Sequence, residues 1–139
     1  MASDIHNDGM EGTRNSELTL AAELGQRAKV EHLLEGGHPV DAPDGDGYTA
    51  LILAARYGHA DVVDVLLARR ADANAAQSHG KTALMYAAEH GHDAIVRRLL
   101  SAGARADVRS RGGSTALKLA RIHGHDAIVD VLEATGAHD

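Results

Sequence analysis

Residues 44–76 read DGDGYTALILAARYGHADVVDVLLARRADANAA, and residues 77–109 read QSHGKTALMYAAEHGHDAIVRRLLSAGARADVR. The two stretches agree at an offset of 33 residues: a threonine precedes Ala-Leu at Thr49 and Thr82, and again at Thr115. A fixed period of this length is the sequence signature of a stacked-repeat protein. The chain is therefore predicted to be a tandem array of four units, at about 16–43, 44–76, 77–109 and 110–139.

Each unit is predicted to contain two short helices. In the third unit, Thr82 is placed to cap a first helix whose apolar residues recur at helical spacing. Gly91 ends that helix, because glycine adopts the left-handed conformation without steric penalty. The second helix begins near Asp93, whose charge suits the positive end of the helix dipole, and it ends before Gly103. The apolar face of this helix carries Ile95, Val96, Leu99 and Leu100.

Turn-rich segments link the second helix of one unit to the first helix of the next. The segments 44–48, 77–81 and 110–114 are rich in glycine, serine and aspartate, which favour tight turns. They are called the first, second and third finger, and each is predicted to be the tip of a β-hairpin. Isolated helices shorter than about 12–15 residues are marginal in water, so the units must stabilise one another. The predicted fold class is an all-α repeat solenoid with β-hairpin fingers.

The pattern of residues 44–76 resembles an ankyrin repeat. The resemblance lies in the string DGDGYTAL from Asp44 to Leu51, followed by Ala54-Ala55, Gly58-His59 and Leu66-Leu67. The third and fourth units repeat this pattern, so the resemblance extends over nearly the whole chain. It implies an L-shaped, ankyrin-type helix-turn-helix stack, with the fingers projecting at one side.

Ten histidines raise the question of a metal site. His59, His92 and His125 fall at one repeat position, where the resemblance implies a hydrogen bond to neighbouring backbone. His90 and His123 stand at a position that varies between units, as a surface position does. A zinc site through these two residues lacks a third ligand. The sequence therefore predicts no bound metal.

Other catalytic or cofactor patterns are incomplete. Asp41, Asp44 and Asp46 stand near glycines, as in a calcium loop, but the glutamate that would close such a loop is missing. The serines in the turns lack a nucleophile-elbow motif and a neighbouring base. No glycine-rich phosphate motif is present. The chain is therefore predicted to have no enzyme activity and no cofactor.

Composition limits the classes of partner. Acidic residues outnumber basic ones by 20 to 14, and the formal net charge of −6 disfavours general nucleic-acid binding. The apolar runs are far shorter than the ~20 residues that cross a membrane. The sequence contains no cysteine, which suits a reducing compartment. We therefore expect a cytoplasmic protein that binds neither nucleic acid nor membrane, and the Ala-rich, Lys-poor composition favours a bacterial source.

The amino terminus differs from the repeats. Residues 1–15 are polar and aperiodic, and they lack the basic start and apolar stretch of a signal peptide. Such composition predicts a disordered segment.

Residues that vary between units are the candidates for partner binding, because packing occupies the repeated positions. The resemblance implies that fingers and first helices line a concave groove that commonly binds proteins. Tyr48 and Tyr57 are the expected anchors, since tyrosine is enriched in binding hot spots. The candidate residues are Asp44, Asp46 and Tyr48 in the first finger, Gln77, His79 and Lys81 in the second, Arg111 and Ser114 in the third, and Arg56, Tyr57, Glu89, His90, Ile122 and His123 near the ends of the first helices.

The charges of the fingers differ along the array. The first finger has Asp44 and Asp46, with Asp41 just before it, whereas Arg105, Arg109 and Arg111 lie in or beside the third. The groove is therefore predicted to run from negative to positive, which orients a dipolar partner.

These observations predict a monomeric protein–protein interaction module that acts as an adaptor. The alternative is an inhibitor or immunity-type protein that uses the same groove to block a co-expressed enzyme or toxin. A metal-binding or enzymatic role is less favoured, because it would depend on His90 and His123.

Overall fold

Eight helices follow one another in the computed structural model, which describes residues 17–138. They form four consecutive pairs, and the prediction that residues 1–15 are disordered lies outside the described range. The helices are α1 (Glu17–Glu23), α2 (Arg27–Glu35), α3 (Ala50–Tyr57), α4 (Ala60–Ala68), α5 (Ala83–Glu89), α6 (Asp93–Ser101), α7 (Ala116–Ile122) and α8 (Asp126–Ala134).

The helix pairs stack in sequence order. The first helices α1, α3, α5 and α7 form one row in which each contacts the next, and the second helices α2, α4, α6 and α8 form a parallel row. The two helices of each pair also contact one another. This arrangement confirms the predicted all-α repeat solenoid, in which each unit is stabilised by its neighbours.

Threonine side chains begin three of the four first helices. Thr49, Thr82 and Thr115 have extended backbone, and each hydroxyl accepts a hydrogen bond from the backbone N–H three residues later, at 3.2, 3.3 and 3.1 Å. Each bond satisfies a donor that the first helical turn leaves unpaired. The predicted caps are therefore confirmed.

Small side chains fill the centre of the stack. Ala54, Ala55, Ala87 and Ala88 have no exposed surface, which lets neighbouring first helices approach closely. The second helices contribute larger aliphatic residues, and in α6 these are Ile95, Val96 and Leu99. Leu100 is only partly buried, so the apolar face of α6 is narrower than the sequence predicted.

The fingers are tight turns rather than strand-containing hairpins. In residues 44–48, 77–81 and 110–114, the N–H of the first residue donates to the carbonyl oxygen of the last at 2.9 Å. Over residues 17–138 no strand forms, and one isolated antiparallel bridge joins Ala76 to Thr82. The predicted tight turns are therefore present, whereas the strands of the predicted β-hairpins are absent from this range.

Side chains take the place of a strand ladder beyond the finger tips. Asp41 accepts a hydrogen bond from the N–H of Asp72 at 2.9 Å, and Asn74 accepts one from the N–H of Arg105 at 2.8 Å. Asp41 and Asn74 are 33 residues apart, so the same link recurs in consecutive units. The backbone N–H groups of Asp72 and Arg105 are therefore each bonded to the preceding unit.

A histidine of each later unit is bonded to the unit before it. The Nε2 atoms of His59, His92 and His125 donate to backbone carbonyl oxygens of the preceding unit at 2.9, 3.1 and 3.0 Å. The ring of His92 lies against Gly58, where φ is +80° and a Cβ atom would be 2.7 Å from His92 Cε1. The structural role predicted for these three histidines is confirmed.

Candidate partner-binding surface

The fingers and the carboxyl ends of the first helices meet on one side of the stack. Tyr48 in the first finger contacts Arg56 at the end of α3, and Lys81 in the second finger contacts Glu89 at the end of α5. We call this side the finger–helix surface. It comprises the three fingers and the last residues of α3, α5 and α7.

Hydrogen bonds join neighbouring fingers into a row. The hydroxyl of Ser78 donates to the carbonyl oxygen of Asp46 at 2.6 Å, and the N–H of Arg111 donates to the carbonyl oxygen of His79 at 2.9 Å. The two donors occupy the same repeat position. The fingers therefore form one continuous edge of the finger–helix surface.

The three tyrosines of the sequence surround one arginine. The Cζ atom of Arg56 lies 5.8 Å from the ring centroid of Tyr48 and 5.3 Å from the centroids of both Tyr57 and Tyr86. The hydroxyls of Tyr48 and Tyr86 are 3.2 Å apart, and Arg56 Nη1 donates to the Tyr48 hydroxyl at 3.4 Å. A cation over an aromatic face is held by about 0.5–2 kcal/mol. This set is called the Arg56 cluster.

An ion pair lies beside the Arg56 cluster. Lys81 Nζ is 2.6 Å from Glu89 Oε1 and 4.3 Å from the ring centroid of Tyr86. The second carboxylate oxygen of Glu89 is 3.8 Å from Nε2 of His123 in the next unit. The His90 ring is parallel to that of Tyr86, with centroids 6.5 Å apart. Charged and aromatic side chains from three units thus meet on this surface.

The pKa values of this region are displaced. Burial raises the pKa of the Glu89 carboxyl, but the hydrogen bond and charge of Lys81, with the charges of His90 and His123, outweigh burial and bring it below 4.5. Partial desolvation of its ring lowers the pKa of His90 below 6.5, and the positive charges of His92, Arg56 and Lys81 add to this effect while Glu89 opposes it. Burial and a hydrogen bond with Tyr48 raise the pKa of Tyr86 well above 10.0.

The predicted site residues fall into three groups. Tyr57 is 45% exposed and Ile122 is 63% exposed, so both present apolar surface to solvent. Half-buried residues are Asp44, Tyr48, Arg56, Lys81, Glu89 and Ser114, and exposed polar residues are Asp46, His79, His90, Arg111 and His123. Gln77 is the one predicted site residue that is buried.

Gln77 stabilises its own finger. Its side chain is 6% exposed, and its Oε1 atom accepts hydrogen bonds from the N–H groups of His79 at 2.7 Å and Lys81 at 3.0 Å. Asp44 does the same in the first finger, where Oδ1 accepts from the N–H groups of Asp46 and Tyr48. The placement of Gln77 among exposed binding residues is therefore corrected, because its amide completes the turn.

Two exposed leucines were not among the predicted site residues. Leu20 and Leu24 of α1 are 53% and 56% exposed. Leu20 shares its repeat position with Leu53, which is 5% exposed, so residue type gave no sign of the difference. The exposure of Leu24 follows a clearer signal, because its repeat position is also that of the exposed Tyr57.

Neither a metal centre nor a membrane-spanning helix is found in the part of the chain that the structure describes. Over residues 17–138, no three or more histidine, cysteine, aspartate or glutamate side chains are grouped to hold an ion. No helix in the same range is long and apolar enough to cross a bilayer.

Comparison with known proteins identifies the repeat. A search of curated proteins finds no match. The family model described as ankyrin repeats (3 copies) matches residues 18–111 and, in a second match, residues 77–138. Together the two matches cover most of the chain. The chain therefore belongs to the ankyrin repeat family, whose members generally act as protein–protein interaction modules.

Proposed function

We propose that this protein is an adaptor that binds a partner protein through the finger–helix surface. The observation that carries the proposal is one repeat position whose side chain is exposed in all four units and changes between them. Its occupants are Leu24, Tyr57, His90 and His123. Positions that only support the fold repeat the same small or aliphatic residues, so variation combined with exposure favours a role in recognition.

The composition of the surface supports this proposal. Tyrosine and arginine are enriched among residues that dominate binding energies, and the Arg56 cluster contains both. The guanidinium of Arg56 lies over one face of the Tyr57 ring, and nearly half of Tyr57 remains exposed to solvent. The exposed polar finger tips at Asp46, His79 and Arg111 suit the hydrated rim of an interface.

The finger charges support a preferred orientation of the partner. Asp46 is exposed on the first finger and Arg111 on the third, and neither forms an ion pair within residues 17–138. Opposite charges at the two ends of a surface steer association more than they alter final affinity. The net charge of −6 favours a protein over a nucleic acid as the partner.

We further propose that the protein acts as a cytoplasmic monomer in a bacterial cell.

Quantitative affinity capture from the source cells tests the proposal. The baits are the wild-type protein, a triple variant with Arg56→Ala, Tyr57→Ala and Arg111→Ala, and a control with Lys29→Ala on α2. We expect one near-stoichiometric protein to be captured by wild type and control and lost by the triple variant. Equal capture by all three baits contradicts the proposed surface. The identity of the captured protein distinguishes an adaptor from an inhibitor of an enzyme or toxin.

A further inference from the structure

Arg56 differs from the other half-buried cations of the described chain in its ionic partners. Within residues 17–138, Lys81 and Arg98 each form an ion pair with a carboxylate, at 2.6 Å in both cases. Arg56 forms no ion pair in that range, and its guanidinium instead makes cation–π contacts with the three tyrosine rings. The charge of this guanidinium is therefore not neutralised by the residues around it.

Most hydrogen-bond donors of Arg56 also lack an acceptor within the described chain. A guanidinium carries five N–H donors, and the side chain of Arg56 makes one hydrogen bond, from Nη1 to the Tyr48 hydroxyl. The surrounding rings hold the group in place without satisfying its remaining donors. A carboxylate is the acceptor that fits the fork of an arginine best, because it forms two parallel charge-assisted hydrogen bonds.

The neighbouring charges favour an acidic ligand. Lys81 Nζ lies 4.3 Å from the ring centroid of Tyr86, and the nearby carboxylate of Glu89 is already paired with Lys81. In the first finger, Asp44 is bonded to its own turn, which leaves Asp46 as the exposed carboxylate of that finger.

The apolar neighbours favour a protein segment over a small anion. Tyr57 adjoins Arg56 and is 45% exposed, and Ile122 lies two units further along the same surface and is 63% exposed. A small anion would contact the guanidinium and leave both apolar side chains in water. An extended segment can place a carboxylate on Arg56 and an apolar side chain against Tyr57 together.

We infer that the partner docks an acidic segment on this surface, with an aspartate or glutamate side chain paired to Arg56 and an adjacent apolar side chain on Tyr57. The inference rests on the proposed function, because it specifies what the finger–helix surface binds. The three tyrosine rings position the guanidinium before the partner arrives, which reduces the entropy lost on binding.

Selection from a displayed library of 12-residue random peptides tests the inference on the full-length protein. We expect the peptides selected by wild type to be enriched in aspartate or glutamate beside an apolar residue. The Kd of the best peptide should rise about tenfold or more with Arg56→Gln, and by a similar factor when its acidic residue becomes the matching amide. The two changes together should weaken binding little more than either alone, because they remove the same contact. Lys29→Gln removes an exposed positive charge from α2 and should leave the Kd unchanged.

Two results separate a failure of this inference from a failure of the proposed function. In the first result, the selected peptides lack acidic residues, bind the Arg56→Gln variant as tightly as wild type, and bind the Tyr57→Ala variant more weakly. This result would contradict the acidic segment but would still support partner binding at the finger–helix surface. In the second result, no peptide is selected, or the selected peptides are insensitive to both substitutions, and this result counts against both proposals.

The Arg56→Lys variant keeps the positive charge but lacks the forked guanidinium. It should therefore bind the peptide more weakly than wild type and more tightly than Arg56→Gln. Thermal unfolding of each variant shows whether it is folded.

Discussion

Single side chains determine where the first helices begin. The Thr82 hydroxyl is 3.3 Å from the N–H of Met85, and the residue is 2% exposed. Thr82→Ala removes this acceptor, and we expect the free energy of unfolding to fall by about 0.5–2 kcal/mol. Thr82→Ser keeps the hydroxyl and is the control. Urea unfolding measures both variants, and equal stability of the alanine and serine variants would show that the cap contributes nothing.

The glycine after α3 is required by backbone conformation and by the neighbouring unit together. At Gly58 an added Cβ would meet the His92 ring, whereas Gly124 has a similar positive φ of +74° and nothing within 4 Å of the Cβ position. Gly124→Ala therefore measures the conformational penalty alone, about 1–2 kcal/mol. Gly58→Ala should be more destabilising, because it also displaces the His92 bond to the carbonyl oxygen of Arg56. Equal losses in thermal unfolding would contradict the contact.

The lowered pKa of His90 links stability to pH. Partial desolvation of the ring, reinforced by the charges of His92, Arg56 and Lys81 against that of Glu89, favours neutral His90 in the folded state. The unfolded chain therefore binds the proton more readily, and this contribution to stability is lost as pH falls below 6.5. The lowered pKa of Glu89 adds a second loss below 4.5. His90→Asn should reduce the pH dependence of the unfolding midpoint between pH 7 and 5, and an unchanged profile would refute this assignment.

At the scale of the element, the two leucines that end α6 are not equivalent. Leu99 has no exposed surface, and Leu100 is partly buried. Leu99→Ala should lower the free energy of unfolding by about 2–5 kcal/mol, because it removes packed methyl groups and leaves a cavity. Leu100→Ala is the matched control and should have a smaller effect. Denaturant unfolding compares the two, and a larger loss for Leu100→Ala would contradict the orientation of α6.

The helices were predictable from sequence because each depends on a local pattern. Thr82, Gly91 and Asp93 mark helix boundaries through contacts within a few residues, and the structure places those boundaries there. The finger turns form as predicted but no strands flank them within residues 17–138, and the backbone N–H of Asp72 is bonded to Asp41, 31 residues earlier. A local pattern carries no information about such a bond.

The candidate surface was predictable in part. The exposure of Tyr57 follows from its variable repeat position. Arg56 contacts Tyr48 and Tyr57 within one unit and Tyr86 in the next, and this gathering of three rings was not predicted. Tyr86 shares its repeat position with the buried Leu53 and Leu119, and it is 6% exposed while its hydroxyl still reaches Tyr48.

The whole molecule is a row of units joined to their neighbours by the same few contacts. The histidine bonds, the finger bonds and the rows of helices each connect adjacent units. A partner that lies along the finger–helix surface contacts several units at once, and it should therefore stabilise the row as a whole.

The most direct test of the proposed surface is hydrogen–deuterium exchange of the full chain, alone and bound to the protein recovered by affinity capture. We predict slower exchange in residues 44–48, 77–81 and 110–114 and at the carboxyl ends of α3, α5 and α7, with α4 and α6 unchanged. The row of second helices carries an open cleft between α4 and α6, lined by Asp64, Leu67, Arg97 and Arg98. Protection confined to α4 and α6, with none in the fingers, would contradict the account and assign binding to that cleft.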